Sequence, residues 1–205
     1  MLGFASGSFE ERLDRDLRQL LRKAKTLPLA ELPESTWARV TGAVRELEGK
    51  ILEAPLSGRR CVYYAVRVDS VVAPSRANTL MRHRDAVPFI IEDRGARAVV
   101  DPTNARISAE IDYGGQSALY DANERQRALL ASRRALERYT HGTTGLLYYE
   151  SIIEAGEQVM VLGAGTREPD PEAAPSAYRD MMPSRIQLAG SQRYPLVICD
   201  RPQRL

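Results

Sequence analysis

Hydrophobic residues recur along this chain in two rhythms. Over residues 8–25 the spacing is three and four, so Phe9, Leu13, Leu17, Leu20, Leu21 and Ala24 share one helical face. Arg12, Arg15, Arg18 and Arg22 line the other face, with Glu10, Asp14 and Asp16 among them. Ser8 and Glu11 stand at the S-x-x-E spacing of a capping box, which satisfies donors that a helix start leaves unpaired. The pattern predicts an amphipathic helix within residues 1–26, docked on the rest of the domain or offered to a partner protein. A membrane surface suits it less, because the acids dilute the basic face. Leu27 to Pro33 holds two prolines and reads as a linker, which leaves residues 27–205 as a β-rich domain.

From Trp37 the rhythm shortens to two. Ala38, Val40 and Val44 alternate with polar or larger residues, and Gly42 between them predicts a bulge or a bend. After the loop Ala54 to Arg60 comes CVYYAVRVDSVV, a strand that splits into two faces. Val62, Tyr64, Val66 and Val68 form the better core face; Cys61, Tyr63, Ala65 and Arg67 form the other, so Tyr63 is expected to be at least partly exposed. Arg76, Arg82, His83 and Arg84 read as a basic loop. Phe89 to Glu92 and Ala98 to Val100 read as a hairpin, with Asp93-Arg94-Gly95 as its turn and Asp101-Pro102 as its stop, since proline cannot donate to a ladder. A strand follows over Arg106 to Ile111. A helix is expected over Asp121 to Tyr139, with Asp121 and Glu124 as its capping box. Gln158 to Leu162, Arg185 to Leu188 and Leu196 to Cys199 read as closing strands. Gly163-Ala164-Gly165 reads as a turn, and the acidic, proline-rich residues 168–183 as an extended loop. The fold class expected is α+β, mainly β: a small OB-like barrel or sandwich of short strands, with an N-terminal helix and one inserted helix.

Composition narrows the function classes. Of 205 residues, 43% are hydrophobic and 27% charged, enough for a core and unlike a disordered chain. A net charge of +2 argues against a surface built wholly around a polyanion, while leaving room for a local basic patch. The start MLGFASGSFEE lacks the basic and apolar regions of a signal peptide. Uninterrupted apolar runs reach only about six residues, against the roughly 18–20 that span a bilayer. A soluble, cytoplasmic protein is therefore expected. Cys61 and Cys199 sit in apolar runs and read as buried strand residues; two cysteines alone do not make a four-ligand zinc site.

Four runs in order carry a resemblance. APLSGRRCVYYAVRV (residues 54–68), PFIIEDRGARAVVDPTNARI (residues 88–107), YYESIIEAGEQVMVLG (residues 148–163) and the closing RIQLAGSQRYPLVICDRPQRL are similar to the segments of the GIDE/BAM domain found in membrane-anchored RING-type ubiquitin ligases. The resemblance marks Gly58, Cys61, Tyr64, Asp93, Gly95, Asp101, Pro102 and Gly163 as motif positions. It implies a domain that contacts target proteins and lies, in eukaryotic relatives, between two transmembrane helices and ahead of a RING. A bacterial, RING-less member is the form this sequence resembles. Without RING ligands, ubiquitin transfer by this polypeptide alone is not expected.

No catalytic constellation emerges from the residues. A G-x-S-x-G elbow is missing, and the two imidazoles, His83 and His141, have neither metal-ligand spacing nor an adjacent nucleophile. No catalytic residue, metal or cofactor is assigned. The expected role is binding of a protein or peptide. The alternative is a nucleic acid held by Arg76, Arg82, Arg84, Arg125, Arg133 and Arg134, with Tyr63 as a stacking platform.

Overall fold

The structure, a computed structural model, describes residues 17, 19–73, 76–118, 121–132, 145–171 and 184–200, without the side chain of Arg76. It is mainly β. In chain order the strands begin with β1 (Ala38–Glu46), β2 (Leu52–Glu53), β3 (Arg60–Cys61), β4 (Tyr63–Ala73) and β5 (Arg76–Ala86). They continue with β6 (Phe89–Asp93), β7 (Ala96–Asp101), β8 (Ala105–Ser108) and β9 (Tyr113–Ser117). The helix α1 (Glu124–Ser132) precedes β10 (Gly145–Ile153), β11 (Gln158–Gly163), β12 (Gly165–Pro169), β13 (Ser184–Ala189) and β14 (Leu196–Cys199). The described residues divide into two compact units. One comprises Ile51–Ala86 and Glu110–Glu154; the other takes its residues from Gly7–Lys50, Val87–Ala109 and Ala155–Leu205.

In the second unit the sheet order is β12-β13-β7-β6-β1-β11-β14-β8. Only Ala164 separates β11 from β12, so the order from β12 through β1 to β11 begins and ends on one continuous stretch of chain. Within that circuit only β7 and β13 run parallel. Val40, Val44, Ile91, Val100, Val161 and Leu188 are all fully buried in this unit. The β6–β7 turn places Arg94 at φ 49° and Gly95 at φ 83°, the two positive values of a tight hairpin turn. Asp101 then caps the short 3-10 turn at Pro102–Asn104, accepting from Thr103 N at 3.0 Å.

Gly42 neither bulges nor bends the chain. β1 keeps an unbroken register with β11 through it, and a Cβ there would lie 3.0 Å from both N and O of Glu92. Glycine is required by the closeness of the neighbouring backbone. Gly163 and Gly165 are likewise not a turn: one ends β11 and the other starts β12. A Cβ on Gly163 would run into the Leu196 side chain. The supposed linker contains a 3-10 turn, Leu29–Glu31, with Leu29 and Leu32 buried. Of the N-terminal helix, residues 17 and 19–23 are described and helical. Leu17 and Leu21 pack on Met160, Leu162, Val197 and Cys199, so β11 is covered on both faces, whereas Leu20 is exposed. The Ser8–Glu11 capping box lies outside the described residues.

The first unit is a four-stranded antiparallel sheet, β5-β4-β10-β9, with the small pair β2-β3. One face of the sheet meets α1: Tyr64, Val66, Val68, Met81, Leu146, Tyr148 and Ile152 cluster with Leu129 and Leu130. The capping box of α1 sits two residues later than expected. Asn123 Oδ1 accepts from Gln126 N and Gln126 Oε1 accepts from Asn123 N, each at 2.9 Å. The basic loop expected at residues 76–84 is strand β5, paired with β4 from end to end. Its alternation was hidden by a bulge: the register slips between Val68 and Asp69, which puts the consecutive Leu80 and Met81 both inside.

Candidate partner-binding surface

Alternation along β4 and its neighbours sorts the first unit's sheet into a core face and an outer face. On the outer face, pairing register lays Arg82, Arg67, Tyr149 and Gly114 in one row across all four strands. The next row runs Thr79, Asp69, Leu147 and Gln116, and Arg84 stands beside Ala65 on the other side. Arg82 and Arg84 are exposed. Arg67 Cζ lies 4.4 Å from the centroid of the Tyr149 ring, a cation–π contact, and its Nε is 3.2 Å from Asp69 Oδ2. Asp69 is buried, and among the described residues its Oδ1 accepts no hydrogen bond.

Opposite this face, a buried carboxylate organises a loop. Glu150, 1% exposed, accepts from Leu56 N at 2.7 Å and from Ser57 N at 2.9 Å. Gly58 N donates to Ala54 O at 2.8 Å, and Gly58 takes φ 73° beneath the Arg125 guanidinium. Arg125 pairs with Glu53 at 2.8 Å, and Arg59 Nε with Glu154 at 2.9 Å. Asp112 adds a further anchor by accepting from Ile152 N at 2.9 Å. The loop Ala54 to Arg60 is thus bonded to β10 through Glu150 and lies against Arg125 of α1.

The arginines proposed from sequence do not all meet. Arg82 and Arg84 share the outer face, whereas Arg125 projects from the helix that covers the core face and is tied to Glu53. Arg76 starts β5, and Arg133, Arg134 and His141 lie outside the described residues. Tyr63 is not a stacking platform: it is 4% exposed. A bend at Val62 separates β3 from β4, so the alternation does not carry across it and Cys61 joins Tyr64 in the core cluster, while Val62 and Tyr63 are buried as well. Tyr64 OH and His83 Nε2 share a hydrogen bond of 3.0 Å. Asp93, Gly95, Asp101, Pro102 and Gly163 belong to the second unit, where their roles are the turn, cap and packing described above.

The chemistry of the thiols is muted. Cys61 and Cys199 are both buried and unbridged. Burial, then the nearby carboxylates of Glu150 and Glu154, pushes the Cys61 thiol up to about 12 against the weaker pull of Arg59. It is therefore a thiol at neutral pH, whereas the nucleophile of cysteine chemistry is the thiolate. Burial also raises the Tyr148 phenol, offset in part by its contact with Ser117. Among the described residues, no group of three or more His, Cys, Asp or Glu side chains is placed to hold a metal ion, and no helix is long and apolar enough to cross a membrane.

This is a mainly β protein whose convergent polar chemistry lies on one sheet face and a clamped loop. Residues 67–179, more than half of the chain, match the family model of the GIDE domain, described as an E3 ubiquitin ligase, and the chain belongs to that family. The match begins within β4 and takes in every described element from β5 to β12, in both units. No curated protein and no solved structure matches the chain.

Proposed function

We propose that the chain is a non-catalytic protein- or peptide-binding module, and that its contact surface is the outer face of the four-stranded sheet. The observation that carries this reading is the convergence of Arg67, Arg82 and Arg84 on that face, with Asp69 as its carboxylate. Such a surface favours an acidic segment of a partner. Family membership supports a protein partner. A RING-less, cytoplasmic module with residues 1–26 appended to a 27–205 body completes the proposal. The strand circuit of the second unit supports an OB-type barrel within that body.

The Arg67–Tyr149 stack favours a second reading, single-stranded nucleic acid, because an aromatic in a basic patch suits a stacked base. Fluorescence anisotropy with a labelled Glu-rich peptide and a labelled oligonucleotide separates the two. The protein reading expects peptide binding that the double variant Arg82→Glu/Arg84→Glu loses. Binding of the oligonucleotide alone, with a steep salt dependence, would replace it with the second reading.

A further inference from the structure

We infer that β9 and the ring of Tyr149 form a strand-addition site for an extended partner segment carrying an aromatic residue with acids two residues to either side. The inference rests on the protein-binding reading above and names the segment that surface takes. Among the described residues the sheet has two edges, and they differ sharply. β5 carries Arg82, Arg84 and Asp85 and is bulged, features that discourage a strand from adding there indiscriminately. β9 reads Tyr-Gly-Gly-Gln-Ser, with no charge and no proline. It therefore leaves a backbone edge that another chain can approach closely.

Position 114 decides what such a chain would carry. Gly114 is directly opposite Tyr149 on β10, and it is exposed. An added Cβ there would meet nothing within 4 Å, so there is open space beside the ring. The Arg67 guanidinium already covers one side of Tyr149. A strand laid along β9 would set one of its residues across from Gly114, and an aromatic side chain there would lean over the glycine onto Tyr149. This is the way cross-strand aromatics compensate for glycine in sheets. Acids two residues to either side of that aromatic would share its face, on the side of the Arg67 guanidinium that lies over Tyr149, whereas Arg82 and Arg84 stand three strands away from β9.

The test uses two labelled peptides, Val-Glu-Val-Tyr-Val-Glu-Val, which puts both acids on the face of its tyrosine, and its Tyr→Ala version, titrated against the whole chain. The tyrosine peptide is expected to bind about five- to tenfold more tightly, the size of an aromatic pair contribution. That preference should vanish in Gly114→Val, which fills the space beside the ring. Gly114 has an ordinary φ and open surroundings, so Gly114→Val is expected to fold and melt as the parent does. Tyr149→Leu should abolish the preference independently. Equal affinity of the two peptides for the parent chain, or a preference that survives Gly114→Val, overturns the inference. If the peptides bind equally and Arg82→Glu/Arg84→Glu still releases both, the broader reading stands and only the β9 site fails. If neither peptide binds, both readings fail together.

Discussion

Replacing Glu150 should damage the first unit far more than its position in a strand suggests. Its carboxylate is buried at 1% exposure and accepts two consecutive backbone donors, Leu56 N and Ser57 N, at 2.7 and 2.9 Å. Hydrogen bonds to a charged group contribute about 1.5–3 kcal/mol each. Glu150→Gln keeps one acceptor oxygen but turns an amide donor toward the other backbone N–H, so one bond is lost and a buried donor is left without a partner. A loss of about 2–4 kcal/mol follows. Glu150→Ala leaves both donors orphaned and opens a cavity, for about 3–5 kcal/mol. The ion pairs Arg59–Glu154 and Arg125–Glu53 would survive, but they are partly exposed and offset little of this. Urea denaturation measures the loss, and amide hydrogen exchange locates it, with faster exchange at Leu56, Ser57 and Gly58 in both variants. Glu150→Gln within about 0.5 kcal/mol of the parent, with unchanged exchange at those amides, would refute the clamp.

Two further outcomes follow from the packing and the thiol. Gly42→Ala should cost about 1–3 kcal/mol in thermal or urea unfolding, because its Cβ would crowd the Glu92 backbone at 3.0 Å. Cys61 should resist alkylation in the native chain at pH 8 and react once urea exposes it, read by mass spectrometry of the modified peptide. Its folded pKa of about 12 lies above its ordinary value of 9.0, so the folded state favours the protonated thiol. The stability this contributes is complete below about pH 9 and is lost as the pH rises toward about 12, which an alkaline denaturation series compared with Cys61→Ser would show.

Local rules reached some of this fold and missed the rest for identifiable reasons. The β6–β7 hairpin was legible because Asp93-Arg94-Gly95 is a turn signal between clean apolar runs. β5 was not, since its arginines occupy a sheet edge where charge is tolerated and its bulge breaks the period. Tyr63 keeps the face that alternation predicts but is buried on it, while the bend at Val62 carries Cys61 to the core face instead. The α1 cap was placed at Asp121 and Glu124, although Asn123 and Gln126 have the same spacing and sit where the helix starts. β9 offers two glycines and little apolar content, so nothing local marks it as a strand; only pairing with β10 does. Glu150 and Tyr149 became candidates through partners far away in sequence, 93 and 94 residues distant for the Glu150 bonds, which no window along the chain contains.

The most direct test of the central claim is a paired capture from native lysate, with the parent chain and Arg82→Glu/Arg84→Glu as baits, each with and without nuclease. The account predicts a stoichiometric protein that the parent retains after nuclease treatment and that the variant, folded by its melting profile, releases. Equal retention by both baits would contradict the assigned surface, and loss of all recovery on nuclease treatment would contradict the protein partner itself.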